Sequence, residues 1–149
     1  MKKIKVNTHQ PFRFPELYCK GKLEGFVTFI GDFSYKIDKQ KDTNKLVGLS
    51  DNYHHHKDSV RIGWRWNEGL EIMAIIYSGG KRVIEHLAWA KENIEYKYKI
   101  VITENNYHLK FNDTYKNYLR LSKWSLPRVV LNPYFGGTTK APKTFRFRL

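Results

Sequence analysis

From Val60 to Trp66 the chain reads V-R-I-G-W-R-W, with apolar side chains at every second position and arginine or glycine between them. A period of two is that of a β-strand with one covered face and one face toward water. The pattern therefore predicts a strand with Val60, Ile62, Trp64 and Trp66 inward and with Arg61 and Arg65 on the wet side. The same period recurs further on. Tyr96, Tyr98, Ile100 and Ile102 alternate with Lys97, Lys99 and Val101; Tyr107, Leu109 and Phe111 alternate with His108 and Lys110; Phe145, Phe147 and Leu149 alternate with Arg146 and Arg148. Turn-forming runs separate these stretches at Asn67-Glu68-Gly69, Ser78-Gly79-Gly80, Glu104-Asn105-Asn106 and Asn112-Asp113. Short alternating strands with a turn roughly every 8–12 residues indicate an all-β sandwich or barrel. No repeat or interdomain linker divides residues 1–149, which are expected to form a single domain.

The remaining segments fit the same plan. Residues 1–6 predict a short edge strand blunted by lysine, and Pro11 and Pro15 bracket an extended connection. In 26–30, Phe26, Thr28 and Ile30 oppose Val27 and Phe29, which places this strand mid-sheet under a covering layer. Residues 38–45, all polar, predict a solvated loop. The run 81–90 suits either a strand or a short helix, and the hairpin turn before it favours the strand.

Charge narrows the partners. Lys and Arg number 27 against 14 Asp and Glu, a net charge of +13 at pH 7. On a folded surface of roughly 8,000 Å² this creates a positive field suited to anionic partners: acidic glycans, nucleic acid or an acidic protein surface in an assembly. Ordinary solvent-facing charge is the competing explanation. The single cysteine, Cys19, excludes an internal disulfide and fits a reducing compartment. The N-terminus lacks the apolar region of a signal peptide. No run approaches the ~20 apolar residues of a membrane span, so the chain is expected to be soluble, without a membrane partner.

Two segments, HHHKDSVRIGWRW with the following LEIMAIIYSGGKR, and LNPYFGGTTKAP near the C-terminus, resemble a family of small uncharacterised proteins of Bacteroidetes and their phages. There a histidine pair precedes a strand ending G-W-R-W, and a P-Y-F-G-G-x-x-x-A-P loop precedes the final strand. The resemblance spans about residues 44–149. It implies an antiparallel jelly-roll sandwich similar to concanavalin A-like lectins and glucanases, and it implies no particular activity. The family's last strand often begins with His-Asp; Lys143 and Thr144 stand there in this chain.

The chemistry legible in the residues favours binding over catalysis. Retaining glycosidases on such sandwiches set two carboxylates two positions apart on one strand, and no Asp or Glu pair here has that spacing. A polysaccharide lyase needs a cation to neutralise the uronate and a Tyr or His to move the proton. Arg61, Arg65, His54, His56 and Tyr134 supply those types, but the Q-I-H triplet of alginate-lyase-like enzymes is absent. In an extended segment His54 and His56 share a side, with a third metal ligand to come from His86, His108 or Asp58. That set is incomplete, so no metal and no cofactor are expected. Mildly acidic pH is expected to charge this cluster.

Arg61 and Arg65 lie about 13 Å apart along one strand, and Lys97, Lys99, Lys110, Arg146 and Arg148 extend a basic platform if their strands share a sheet. Tyr134 and Trp124 are candidates for a sugar-binding edge, with the PYFGG glycines shaping a tight turn. The sequence thus predicts a non-enzymatic β-sandwich module for a carbohydrate, favouring an acidic one, with His54, His56, Arg61, Arg65 and Tyr134 as ligand contacts and no catalytic residue. The alternatives are a small lyase-like enzyme and a phage virion or assembly protein whose basic face meets nucleic acid or a neighbouring subunit.

Overall fold

The computed structural model describes residues 1–5, 7–9, 16–18, 20–37, 43–124 and 126–149. Its regular elements are β1 (Lys2–Ile4), β2 (Glu16–Tyr18), β3 (Lys22–Ile30), β4 (Asn44–Ser50), β5 (Ser59–Trp66) and β6 (Leu70–Ser78). They continue with β7 (Lys81–Ala90), β8 (Glu95–Ile102), β9 (Asn106–Phe111), β10 (Thr114–Leu119), β11 (Arg128–Leu131) and β12 (Phe145–Arg148). Sheet A has the order β1-β12-β3-β8-β9-β10 and sheet B the order β2-β11-β4-β5-β6-β7. All strand pairs are antiparallel. Consecutive strands β4–β7 and β8–β10 form meanders, whereas the chain ends switch sheets at each step. The result is a jelly-roll sandwich. Residues 81–90 are a strand, and no described helix is long and apolar enough to cross a membrane.

Local chemistry explains the hairpins. The β6–β7 turn needs left-handed backbone at two successive positions, and Gly79 (φ 59°) and Gly80 (φ 79°) adopt it without a side-chain clash. The inward parities of β5, β8, β9 and β12 follow the sequence pattern: Val60, Ile62, Trp64, Tyr98, Ile100, Tyr107, Leu109, Phe145 and Phe147 all lie in one buried cluster. Its centre is aromatic, with Phe33, Phe145 and Phe147 around Trp64 at ring separations of 5.1, 4.9 and 5.9 Å. Such tilted and edge-on contacts add about 0.5–1.5 kcal/mol each beyond area burial. Trp66, nearer the strand end, is half-buried against this core.

Two expectations change. β3 does lie in the interior of its sheet, but its outer side is only partly covered: Thr28 is buried, whereas Phe26 is 52% exposed. Of the segment expected to be a solvated loop, residues 38–42 lie outside the described residues, as do Val6, Pro11–Pro15 and Cys19. Thr43 and Asn44 are buried, and Asn44 opens β4. Burial of this asparagine is tolerated because both polar atoms of its amide have partners. It donates to the Tyr35 hydroxyl at 2.9 Å and accepts from the Gly136 amide at 2.6 Å.

At the far end of β4 a charged network ties the sheets together. The fully buried Asp51 carboxylate accepts from Arg120 Nε (2.9 Å), Arg128 Nε (3.2 Å) and the Tyr107 hydroxyl (2.7 Å). Arg120 also donates to the Thr103, Glu104 and Trp124 carbonyls. Burial and the bond to Asp51 push the Tyr107 hydroxyl pKa far up.

Candidate functional site

The outer face of sheet B carries the site. Cross-strand register sets Arg61 beside Gly48 of β4 and Ile75 of β6, and Tyr77 beside Ser59 and Arg82. Arg61 has the outward parity predicted for it, yet it is only 7% exposed. The reason is a wall of groups from other segments. Thr43, Lys45, His56, Ile75, Tyr77, Arg82, Ile84 and Gly137 surround it and line a cavity of about 320 Å³. Gly48 lets the arginine lie down, since a Cβ there would sit 2.6 Å from Arg61 Cγ. Gly63 does the same for Thr43 and Ile75, which lie within 3.0 Å of where its Cβ would be.

The electrostatics of this cavity are one-sided. Among the described residues, Arg61, Lys45 and Arg82 line it and no carboxylate does. Among the described residues, Arg61 Nε and Thr43 Oγ1 are buried polar atoms without a hydrogen-bond partner. Burial pulls the Arg61 pKa down to about 10, so the guanidinium stays charged at neutral pH at an energetic cost. Lys45 is held in place: its Nζ donates to the Gly136 carbonyl at 2.8 Å and lies 5.6 Å from the Tyr134 ring centre. The Lys45 and Tyr134 backbones exchange hydrogen bonds of 2.7 and 2.9 Å, and Tyr134 stacks on His9 at 5.1 Å. Tyr134 thus positions Lys45 from behind and does not line the cavity.

The histidine run is a turn, not the extended segment expected. The His54 carbonyl accepts from the Lys57 amide at 2.8 Å, and Asn52 Oδ1 accepts from the His54 amide at 2.7 Å. Buried Asp58 takes the Gly79 amide at 2.9 Å, and the Lys57 carbonyl takes the Gly80 amide at 2.9 Å, which fastens the turn to the β6–β7 hairpin. His55 and His56 lie edge-on at 4.3 Å, and His56 lies 5.3 Å from Tyr77. Burial, then the Arg61 charge, holds His55 down at about 4 and lowers His56 as well. Mildly acidic pH therefore leaves His55 neutral, contrary to the expectation from its ordinary pKa. On the far side of His56 a second, shallower cavity of about 620 Å³ is lined by Tyr53, His54, His55, His56, Lys57 and Gly80.

The other sequence candidates fall elsewhere. Arg65, also on the outer face of β5, donates to Glu71 Oε2 at 2.6 Å, and Glu71 further engages His86 at 2.9 Å and Asn67 at 3.2 Å. Its charge is neutralised outside the cavity. His108 contacts Tyr115 and Thr103, and no described group of three or more His, Cys, Asp or Glu is placed to hold a metal ion. Trp124 and Tyr134 do not share an edge: Trp124 meets Arg120 near Asp51, whereas Tyr134 meets Lys45 at the other end of β4. Lys97, Lys99, Lys110, Arg146 and Arg148 lie on sheet A, so the basic platform is split from Arg61 and Arg65 on sheet B. There Lys99 directly faces Lys110, with Glu24 on its other side.

Sequence reasoning therefore brought His56 and Arg61 into the cavity and His54 beside it, but missed Thr43, Lys45, Tyr77 and Arg82. Tyr77 and Arg82 were reachable from hairpin register, since counting outward from Gly79-Gly80 pairs them. Lys45 and Thr43 carried no local signal within a polar run.

No protein-family model and no curated protein matches the chain. Several solved structures share its course at low identity. The carbohydrate-binding module CBM66 from Bacillus subtilis is 10% identical with a TM-score of 0.43, over 79% of this chain and 75% of that one. The kappa-carrageenase from Pseudoalteromonas carrageenovora, in complex with an oligotetrasaccharide of kappa-carrageenan, is 10% identical with a TM-score of 0.46 over 88% of this chain. The match spans 62% of that enzyme. A human galectin-16 variant is 13% identical with a TM-score of 0.46 over 99% of both chains. At such identities the likeness concerns the path of the chain alone.

Proposed function

We propose that the protein is a non-enzymatic binding module that takes an anionic carbohydrate in the Arg61 cavity. One observation carries this reading: a guanidinium that is 7% exposed, lined by further cations, and faced by no carboxylate of its own among the described residues. A buried charge without a partner opposes folding. A carboxylate or sulfate on a ligand relieves that cost, and a planar guanidinium matches either group through paired hydrogen bonds. Thr43, whose Oγ1 is another buried polar atom without a partner among the described residues, lines the same space. Ile75, Ile84, Tyr77 and His56 offer apolar faces to a pyranose ring. Arg61 lies in the G-W-R-W strand and Gly137 in the PYFGG loop, so these two sequence motifs meet at the cavity.

A binding screen of uronic and sulfated sugars against their neutral counterparts tests the proposal, using wild type, Arg61→Met and Arg65→Ala. Acidic sugars should bind wild type and Arg65→Ala and lose at least about tenfold in affinity with Arg61→Met, since one charge-assisted pair contributes about 1.5–3 kcal/mol. Equal binding of neutral and acidic sugars, or binding indifferent to Arg61, refutes it. A lyase reading is favoured by one further observation, the convergence of Arg61, Tyr77 and His56 on one space. Appearance of an unsaturated uronate in ultraviolet absorbance on incubation with polyuronates would decide for it.

A further inference from the structure

The cavity at Arg61 does not end at its histidine wall. His56 lines both it and the shallower cavity beyond, and rings make up four of that second cavity's six lining residues: Tyr53, His54, His55 and His56. Tyr53 stands at the rim, 67% exposed. The turn that presents it is fastened at both ends, by Asn52 to the His54 amide and by Asp58 and Lys57 to Gly79 and Gly80. The backbone that carries these rings is therefore held in place, and a ligand need not order it. The two cavities also differ in charge. Arg61, Lys45 and Arg82 line the first, whereas among the described residues Lys57 is the only lysine or arginine lining the second.

We infer that the ligand is an oligosaccharide that spans both cavities, with its acidic unit against Arg61 and a neighbouring sugar ring stacked on the Tyr53–His54 turn. This rests on the anionic-sugar reading of the Arg61 cavity and adds a second subsite to it. Flat, exposed rings on a rigid turn suit the apolar face of a pyranose, and one further stacking contact adds about tenfold in affinity.

The experiment compares chain lengths by calorimetry and NMR titration. D-glucuronate, D-galacturonate and D-galactose-6-sulfate are each measured against a four-unit oligosaccharide containing the same acidic sugar. In wild type the oligosaccharide should bind about tenfold more tightly than its monosaccharide, and in Tyr53→Ala and His54→Ala that ratio should fall toward one. Both residues are exposed, so melting temperatures near wild type will confirm folding. A ratio near one in wild type, or a ratio that survives Tyr53→Ala, overturns the second subsite while leaving the Arg61 reading intact. Binding of none of these sugars in any form overturns both.

Discussion

Replacing Arg61 by methionine separates a residue reserved for a ligand from one that builds the fold. Burial lowers the Arg61 pKa from its ordinary value to about 10, which at 1.36 kcal/mol per pH unit costs on the order of 3 kcal/mol at neutral pH. The unfolded chain binds that proton more tightly, so the cost is present throughout the neutral range and fades only as pH rises past about 10. Methionine keeps an apolar stem over Gly48 and beside Ile75 while removing the charge. Some dispersion contact is lost with the guanidinium, which leaves a net gain of about 2 kcal/mol, or roughly 4–8 °C in Tm for a chain of this size. Differential scanning calorimetry in low-salt buffer reads this directly. Adding an acidic sugar at 100 times its Kd should then raise wild-type stability by about 2.7 kcal/mol and leave Arg61→Met unmoved. A variant that melts lower than wild type would refute the reasoning, because the guanidinium would then be satisfied within the fold.

Asp51→Asn should cost about 3–5 kcal/mol in urea unfolding, since Arg120 and Arg128 would stay buried without their shared carboxylate. Gly48→Ala places a Cβ 2.5 Å from the Val60 carbonyl oxygen and 2.6 Å from Arg61 Cγ; a loss of about 1–3 kcal/mol accompanied by weaker acidic-sugar binding is expected, and unchanged binding would show that Arg61 does not depend on that glycine. His55 has a folded pKa of about 4 against an ordinary 6.5, so as pH falls through this window the unfolded chain takes up a proton that the folded turn refuses. Stability should decline from pH 6.5 toward pH 4, and His55→Gln should flatten that part of the thermal-melt profile.

Much of this architecture was legible in local pattern. The two-residue period of β5, β8, β9 and β12 identified which side chains point inward, because alternation is a property of the strand itself. Glycine and asparagine located the hairpins, because positive φ is a local demand. The same parity correctly aimed Arg61 outward, and proximity in the chain placed His56 near it. What the pattern could not supply was the meaning of outward. Arg61 and Arg65 occupy equivalent positions on one strand, yet one lies buried without a carboxylate partner and the other is neutralised by Glu71. Whether an outward side chain meets water, an acid or a wall is decided by residues 43, 45, 77, 82 and 137, which only sheet pairing and the jelly-roll crossings bring together. The strands and their faces were therefore determined by short-range sterics and hydrophobic spacing. The Arg61 cavity was determined by long-range contacts, because its walls come from segments far apart in the chain.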